Sequence, residues 1–426
     1  MRMSKEELEK VKIDFGVDRL YSWSMVSTFT TSPYEYLLKY ILHTPEDRQD
    51  CIYTTTGTIS HDILEKVYIQ ENLNKIYNFE ILNEFGYDPQ ISYSEMNKQF
   101  EDGWCLANDI SNLKFDRNDE EHNKMLSKKY YDDLKHFFLH HTPIPYNVVP
   151  EQFIVTKIND NVFQGYADII FKDDEGFCNI IDFKTSSIYT GKNLLEKSGQ
   201  LCVYAKGLNQ KGVPIDKIKI GFNFLKYVTV QYQQANGSIK ERNIERFEIG
   251  AKLQSNANMW LKKLGYEDKV DEYLKDLVDY NDIRVLPEDV QAKYRITDCY
   301  VYIPLTEELL DEWSDKISET IKDILWREEQ YAEDENDKWF FDTEESVKKE
   351  SYYFSTLCSY SAELHKPYKL YLDKLQAAQE GSDLFGGLFS GVGSEVKNNN
   401  EQSQKANKAI HQNGVDDDLS WLNELV

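Results

Sequence analysis

The sequence predicts an α/β fold, a central mixed sheet flanked by helices, with helical additions. Three observations predict it. Residues 165–170 (Gly-Tyr-Ala-Asp-Ile-Ile) and 180–185 (Ile-Ile-Asp-Phe-Lys-Thr) are short apolar runs, each carrying an acid, and read as strands. Residues 172–176 between them are a polar turn ending in glycine, which makes the pair an antiparallel hairpin. Residues 192–207 then repeat apolar positions Leu194, Leu195, Leu201, Val203 and Tyr204 with helical spacing.

The hairpin carries the chemistry. A strand has period two, so Asp182 and Lys184 share one face and Phe183 takes the other. Asp168 lies on the neighbouring strand, within reach of the same point. Two carboxylates and a lysine suit a hard divalent cation and a polarised water, the equipment of phosphodiester cleavage. Chance acids at strand ends and a simple buried ion pair fit these residues as well.

The flanking segments add polar pairs. Gln200 and Tyr204 are four apart, so an amide and a phenol share one helix face. Residues 57–65 read as a helix start carrying His61 and Glu65, again four apart. His61 taken alone also fits a helix histidine with a structural partner.

The order of these pieces resembles the RecB-like branch of the PD-(D/E)XK nuclease superfamily. They run Gly57 to His61, Pro150-Glu151, Gly165 to Asp168, Asp182-Phe183-Lys184 and Gln200 to Tyr204. Residues 22–29 and 32–36 ahead of them are similar to that family's opening helix. The resemblance covers residues 20–230. It implies a restriction-endonuclease-like core and Mg²⁺ or Mn²⁺ held by Asp168, Asp182, the Phe183 carbonyl and His61. The imidazole shifts the balance toward Mn²⁺. By the same resemblance Lys184 orients the attacking water and stabilises transition-state charge. Glu151 reaches the metal through water, with Glu65 a weaker candidate. Gln200 and Tyr204 contact DNA, joined by Lys192 and Lys197 of the basic segment around them. Some relatives hold an iron–sulfur cluster on four cysteines. Here Ser32 stands at the early position and Cys358 alone at the late one, so no cluster is expected. The late segment 354–364 is expected to pack back on the core.

Composition sets the outer bounds. The 426 residues are 41% hydrophobic, enough for a large core and two structural units. Six cysteines (51, 105, 178, 202, 299, 358) show no paired spacing and read as reduced thiols. No apolar run approaches the length of a membrane span. The first twelve residues are charged and helix-like, unlike a signal peptide, so a cytoplasmic protein is expected, in the host cytoplasm if a phage encodes it.

Net charge is −25, unusual for a DNA-binding protein, but it is unevenly spread. Residues 179–230 hold eight lysines against three acids, while 301–350 hold seventeen acids against six basic residues. Such a field confines DNA to one groove. The acids fit a solvated helical face equally well.

Elsewhere, residues 84–145 read as a helical insertion with an apolar stripe (Tyr130, Tyr131, Leu134, Phe137, Phe138, Leu139). Residues 215–232 read as two strands, Asn236-Gly237 as a two-residue hairpin turn, and 243–330 as largely helical. The chain divides into a nuclease core (1–235), a mostly helical addition packing on it (236–375) and a flexible tail (380–426). Residues 397–414 are expected to be disordered. The acidic tip around Trp421 suits docking to a replication or recombination protein. Ser382-Asp383-Leu384-Phe385 loosely resembles the end of sliding-clamp-binding peptides. No phosphate loop or other nucleotide-binding motif is present, so no nucleotide cofactor is expected.

The expected function is a metal-dependent DNA exonuclease in recombination, replication or repair, similar to phage-encoded exonucleases. A structure-specific endonuclease on the same fold and a non-catalytic interaction protein acting through its acidic surface and tail are the alternatives.

Overall fold

The computed structural model describes residues 3–48, 51–76, 93–111 and 120–388. The tail calls from residue 389 onward, and part of the 84–145 insertion, lie outside them.

A mixed sheet carries everything else. Strands β1 (Val148–Ile158), β2 (Asn161–Lys172) and β3 (Cys178–Lys184) follow one another antiparallel. The turn 173–177 joins β2 to β3, with Gly176 at φ 82° and the Asp173 side chain accepting from Phe177 N–H. The chain then crosses over through α7 (Gly191–Glu196) and α8 (Gly199–Gln210) to β4 (Ile218–Gln233), which is parallel to β3. Parallel neighbours need such a crossover. β5 (Ile239–Glu245) pairs with the second half of β4, and β6 (Tyr294–Ile303) pairs antiparallel with β4 along both halves.

Several sequence readings are corrected here. The segment 192–207 is two helices, interrupted at Lys197 and Ser198. Trp23 explains the glycine that opens the second helix, because its ring packs where a Cβ on Gly199 would sit, 2.0 Å from Trp23 Cη2. Residues 215–232, read as two strands, are a 3-10 turn at 215–217 followed by the single long strand β4, with an irregular register to β6 between Asn223 and Val228. The Asn236-Gly237 hairpin closes through a loop of residues 234–238, wider than a two-residue turn. The stretch 243–330 contains β6, a full member of the sheet.

Helices cover both faces. On one lie α4 (Ile52–Ile76), α5 (Tyr93–Ser111) and α6 (Glu120–His140). Their Ile63, Leu64, Tyr68, Phe100, Leu134, Phe137 and Phe138 bury against Ile169, Ile181 and Phe183. Of the predicted α6 stripe, Leu139 alone is exposed, at 38%. On the other face α8 and α12 (Glu307–Asp334) press Leu201, Val203, Leu310, Ile317 and Ile321 onto Ile170, Ile180 and Phe222. Each such buried side chain contributes about 1.5–3 kcal/mol of transfer free energy. The far half of β4 packs Val228 and Val230 on α9 (Ile249–Lys263) and α10 (Val270–Tyr280).

The opening helix α2 (Trp23–Thr31) starts at Ser22, whose hydroxyl caps Met25 N–H. The segment around Cys358 packs on α3 (Pro33–Tyr36), where the Cys358 thiol meets the Glu35 carboxylate. Ser32 donates to Asp342 and contacts His365 Nε2, both at 3.0 Å. Tyr353 donates to Glu35, and Arg48 donates to the carbonyls of Phe354 and Cys358. The last described helix, here α14 (Lys366–Leu388), runs past residue 380, where a flexible tail was expected to start.

Candidate active site

The β2–β3 register pairs Ile169 with Ile181. One step further, Asp168 faces Asp182. On the other side of β2 the ladder runs Pro150–Ile169 and Gln152–Ala167, skipping Glu151, which therefore stands across from Asp168. Glu151 has φ 47°, the left-handed region. A non-glycine residue there costs on the order of 1–3 kcal/mol, and such strain gathers at functional sites. Three carboxylates thus occupy one level of three adjacent strands.

His61 enters from α4. The helix begins at Ile52, five residues before the start expected at Gly57, so His61 sits in its interior. Its Nε2–H donates to the Phe183 carbonyl at 3.1 Å, and its Nδ1 lies 3.5 Å from Asp168 Oδ2. The same Oδ2 accepts from Phe183 N–H at 2.7 Å. Both polar atoms of the Phe183 backbone are therefore held by candidate catalytic side chains. Glu65 is half-buried one turn along α4.

Lys184 Nζ lies 2.9 Å from Asp182 Oδ2, with both side chains 5% exposed. Oδ2 is buried and, beyond this ion pair, meets no hydrogen-bond donor of good geometry. Burial pushes the Asp182 carboxyl up; Lys184 opposes this and the Asp168 charge adds to it. Burial would also raise Asp168, but the His61 cation outweighs it and holds that carboxyl below its ordinary value. For His61, burial favours the neutral ring, yet the Asp168 and Asp182 charges win and raise it to about 9.

Gln200 and Tyr204 share a face of α8 as predicted, and Gln200 Nε2–H donates to Tyr204 Oη at 3.0 Å. Tyr204 lies directly over Gly165, where a Cβ would meet its Cε1 at 2.6 Å. This close approach requires glycine. Lys192 stands apart, its side chain 88% exposed and paired with Glu196. Lys197 is half-buried at the break between α7 and α8.

The donor types fit a divalent ion: carboxylates, an imidazole and a backbone carbonyl, with a buried carboxylate oxygen short of hydrogen-bond donors. Their present partners are largely one another, His61 with Asp168 and Phe183, Asp182 with Lys184. Among the described residues, no three His, Cys, Asp or Glu side chains are gathered into a preformed metal site.

The sequence reading missed Tyr68. Its ring stacks on Phe183 with centroids 6.3 Å apart and planes 9° apart. The signal was available, since Tyr68 lies seven residues after His61 and so on the same face of α4.

Among curated proteins none matches the chain. The family model described as the PD-(D/E)XK nuclease superfamily matches residues 21–360, a span that contains every group described above. With the mixed sheet, the facing aspartates and the lysine two residues on, this match settles the family: the chain belongs to the PD-(D/E)XK nuclease superfamily.

Proposed function

We propose that this protein is a metal-dependent DNA exonuclease acting at strand ends in recombination, replication or repair, working in the cytoplasm. The observation that carries the reading is the level of Glu151, Asp168 and Asp182 with Lys184 beside it. A bound Mg²⁺ or Mn²⁺, held by Asp168, Asp182, His61 and the Phe183 carbonyl, supplies Lewis-acid stabilisation of the phosphoryl charge. The remaining work belongs to side chains. Lys184, beside Asp182, would orient the attacking water and offset developing negative charge. Asp168 holds Phe183 N–H and so fixes the backbone between Asp182 and Lys184. The Gln200 amide and Tyr204 phenol offer hydrogen bonds to the DNA strand.

Recession of the site favours an exonuclease over an endonuclease. Side-chain exposures are 5% for Asp182 and Lys184 and 12% for Asp168. A thin strand end enters such a site more readily than an intact duplex. No helix among the described residues is long and apolar enough to cross a membrane.

The test compares wild type with Asp182→Ala on end-labelled linear single strands, linear duplex and closed circles, with Mg²⁺ and Mn²⁺. Loss of linear DNA only, abolished by the substitution, supports the reading. Cutting of circles makes it an endonuclease. Absence of metal-dependent cutting on every substrate refutes the enzyme and leaves an interaction protein.

A further inference from the structure

Behind the site, a buried polar chain runs from α4 to β6. Tyr68 Oη and His141 Nε2 share a hydrogen bond at 3.2 Å. His141 Nδ1–H donates to Asp298 Oδ2 at 2.7 Å, and Arg246 Nη2–H donates to Asp298 Oδ1 at 2.5 Å. Arg246 Nε–H donates to the Leu225 carbonyl of β4. Tyr68, His141 and Arg246 are each at most 1% exposed. Burial would push the Asp298 carboxyl up; His141 and Arg246 outweigh it and keep it near 2.

This chain ends on the catalytic strand. The Phe183 ring is met by two residues of α4, Tyr68 in an offset, nearly parallel stack and His61 edge-on with centroids 6.1 Å apart. The Phe183 backbone links Asp182 to Lys184, so turning its peptide planes moves both groups. Packing alone has no need of an ion pair here, since apolar replacements of buried pairs are often as stable. A directional hydrogen bond to the Tyr68 hydroxyl does what apolar packing does not: it fixes where that ring sits.

We propose that Tyr68, His141, Asp298 and Arg246 are positioning residues of the active site, holding Phe183 and thereby the spacing of His61, Asp182 and Lys184. The inference rests on the nuclease reading of that site. It extends the reading to groups that touch neither DNA nor metal, and the chain acts as a distant shell of ligand support.

The experiment uses the full chain. Tyr68→Phe keeps the ring and deletes the hydroxyl; Tyr353→Phe deletes a buried hydroxyl bonded to Glu35 and serves as control. Mn²⁺ binding is followed by titration calorimetry, single-strand cutting by kcat and KM, and folding by Tm. Tyr68→Phe is expected to weaken Mn²⁺ binding and lower kcat by about tenfold each, with KM for DNA unchanged. The control is expected to leave Mn²⁺ affinity at the wild-type value. Wild-type Mn²⁺ affinity and kcat in Tyr68→Phe overturn the proposal, as do equal losses in both variants. If wild type neither binds Mn²⁺ nor cuts, the nuclease reading itself fails and the proposal falls with it.

Discussion

Asp168 and Asp182 face each other across β2 and β3 and are pushed in opposite directions. His61 holds Asp168 low, while burial holds Asp182 high even beside Lys184. Two like groups are thus given different tasks by their surroundings, one a fixed anion and the other a group readily exchanged between partners.

Removing either member of the buried pair has unequal effects. Asp182→Asn is expected to abolish cutting. It also takes the nearest anion from the buried Lys184 ammonium, and breaking a buried pair in this way costs on the order of 3–5 kcal/mol. Lys184→Met is expected to cost less stability, because the Asp182 carboxyl, already pushed up, can take a proton. Denaturant melts of both variants check the order; equal losses would contradict it.

His61 predicts a pH dependence of stability. Its folded value, about 9, is above its ordinary 6.5, so its contribution is full below 6.5 and is lost as pH rises through 9. Asp168 is depressed, so its contribution is full above 3.8 and is lost as pH falls through its lowered value. Wild-type Tm is therefore expected to drop between pH 6.5 and 9.5 by more than that of His61→Asn. Parallel curves over that range would show that His61 is not held as a cation.

Gly165→Ala tests the seat of Tyr204. The added methyl meets the Tyr204 ring at 2.6 Å. Overpacking of this kind typically costs about 1–3 kcal/mol, and here it also displaces the Gln200–Tyr204 hydrogen bond. KM for DNA is expected to rise several-fold if that pair contacts the strand. Double substitution Gly165→Ala with Tyr204→Phe, which keeps the clash, should not restore it, whereas Tyr204→Ala should relieve the stability loss.

Metal alone should stabilise the fold. A ligand at about 100 times its Kd adds about 2.7 kcal/mol to a native state that binds it. Mn²⁺ is expected to raise Tm of wild type and not of a variant with Asp168→Ala and Asp182→Ala. An equal rise in both would place the ion elsewhere.

The sequence made the hairpin of the candidate site legible because its signals are local: period two, a polar turn with Gly176, and charged residues in apolar strands. What it hid depends on distant partners. β6 reads Tyr-Arg-Ile-Thr-Asp-Cys-Tyr-Val-Tyr-Ile, a strand by composition, yet helices lie on both sides and its partner β4 is some sixty residues away in sequence. The need for glycine at 199 has its cause in Trp23, far upstream. Tyr68 reads in sequence as one more core aromatic, and only its stacking on Phe183 and its bond to His141 set it apart. Glu151 was found by resemblance, while its left-handed backbone was invisible beforehand.

The lateness of β6 also bears on synthesis. Every candidate catalytic residue has left the ribosome by Tyr204, but β4 lacks its pairing with β6, and Asp298 is absent, until the chain has grown to Ile303. At about 5–20 residues per second the wait lasts about 5–20 seconds. During it the nascent chain carries the candidate catalytic residues without β6 and Asp298, so the proposed site is completed by β6 rather than by the residues it is built from.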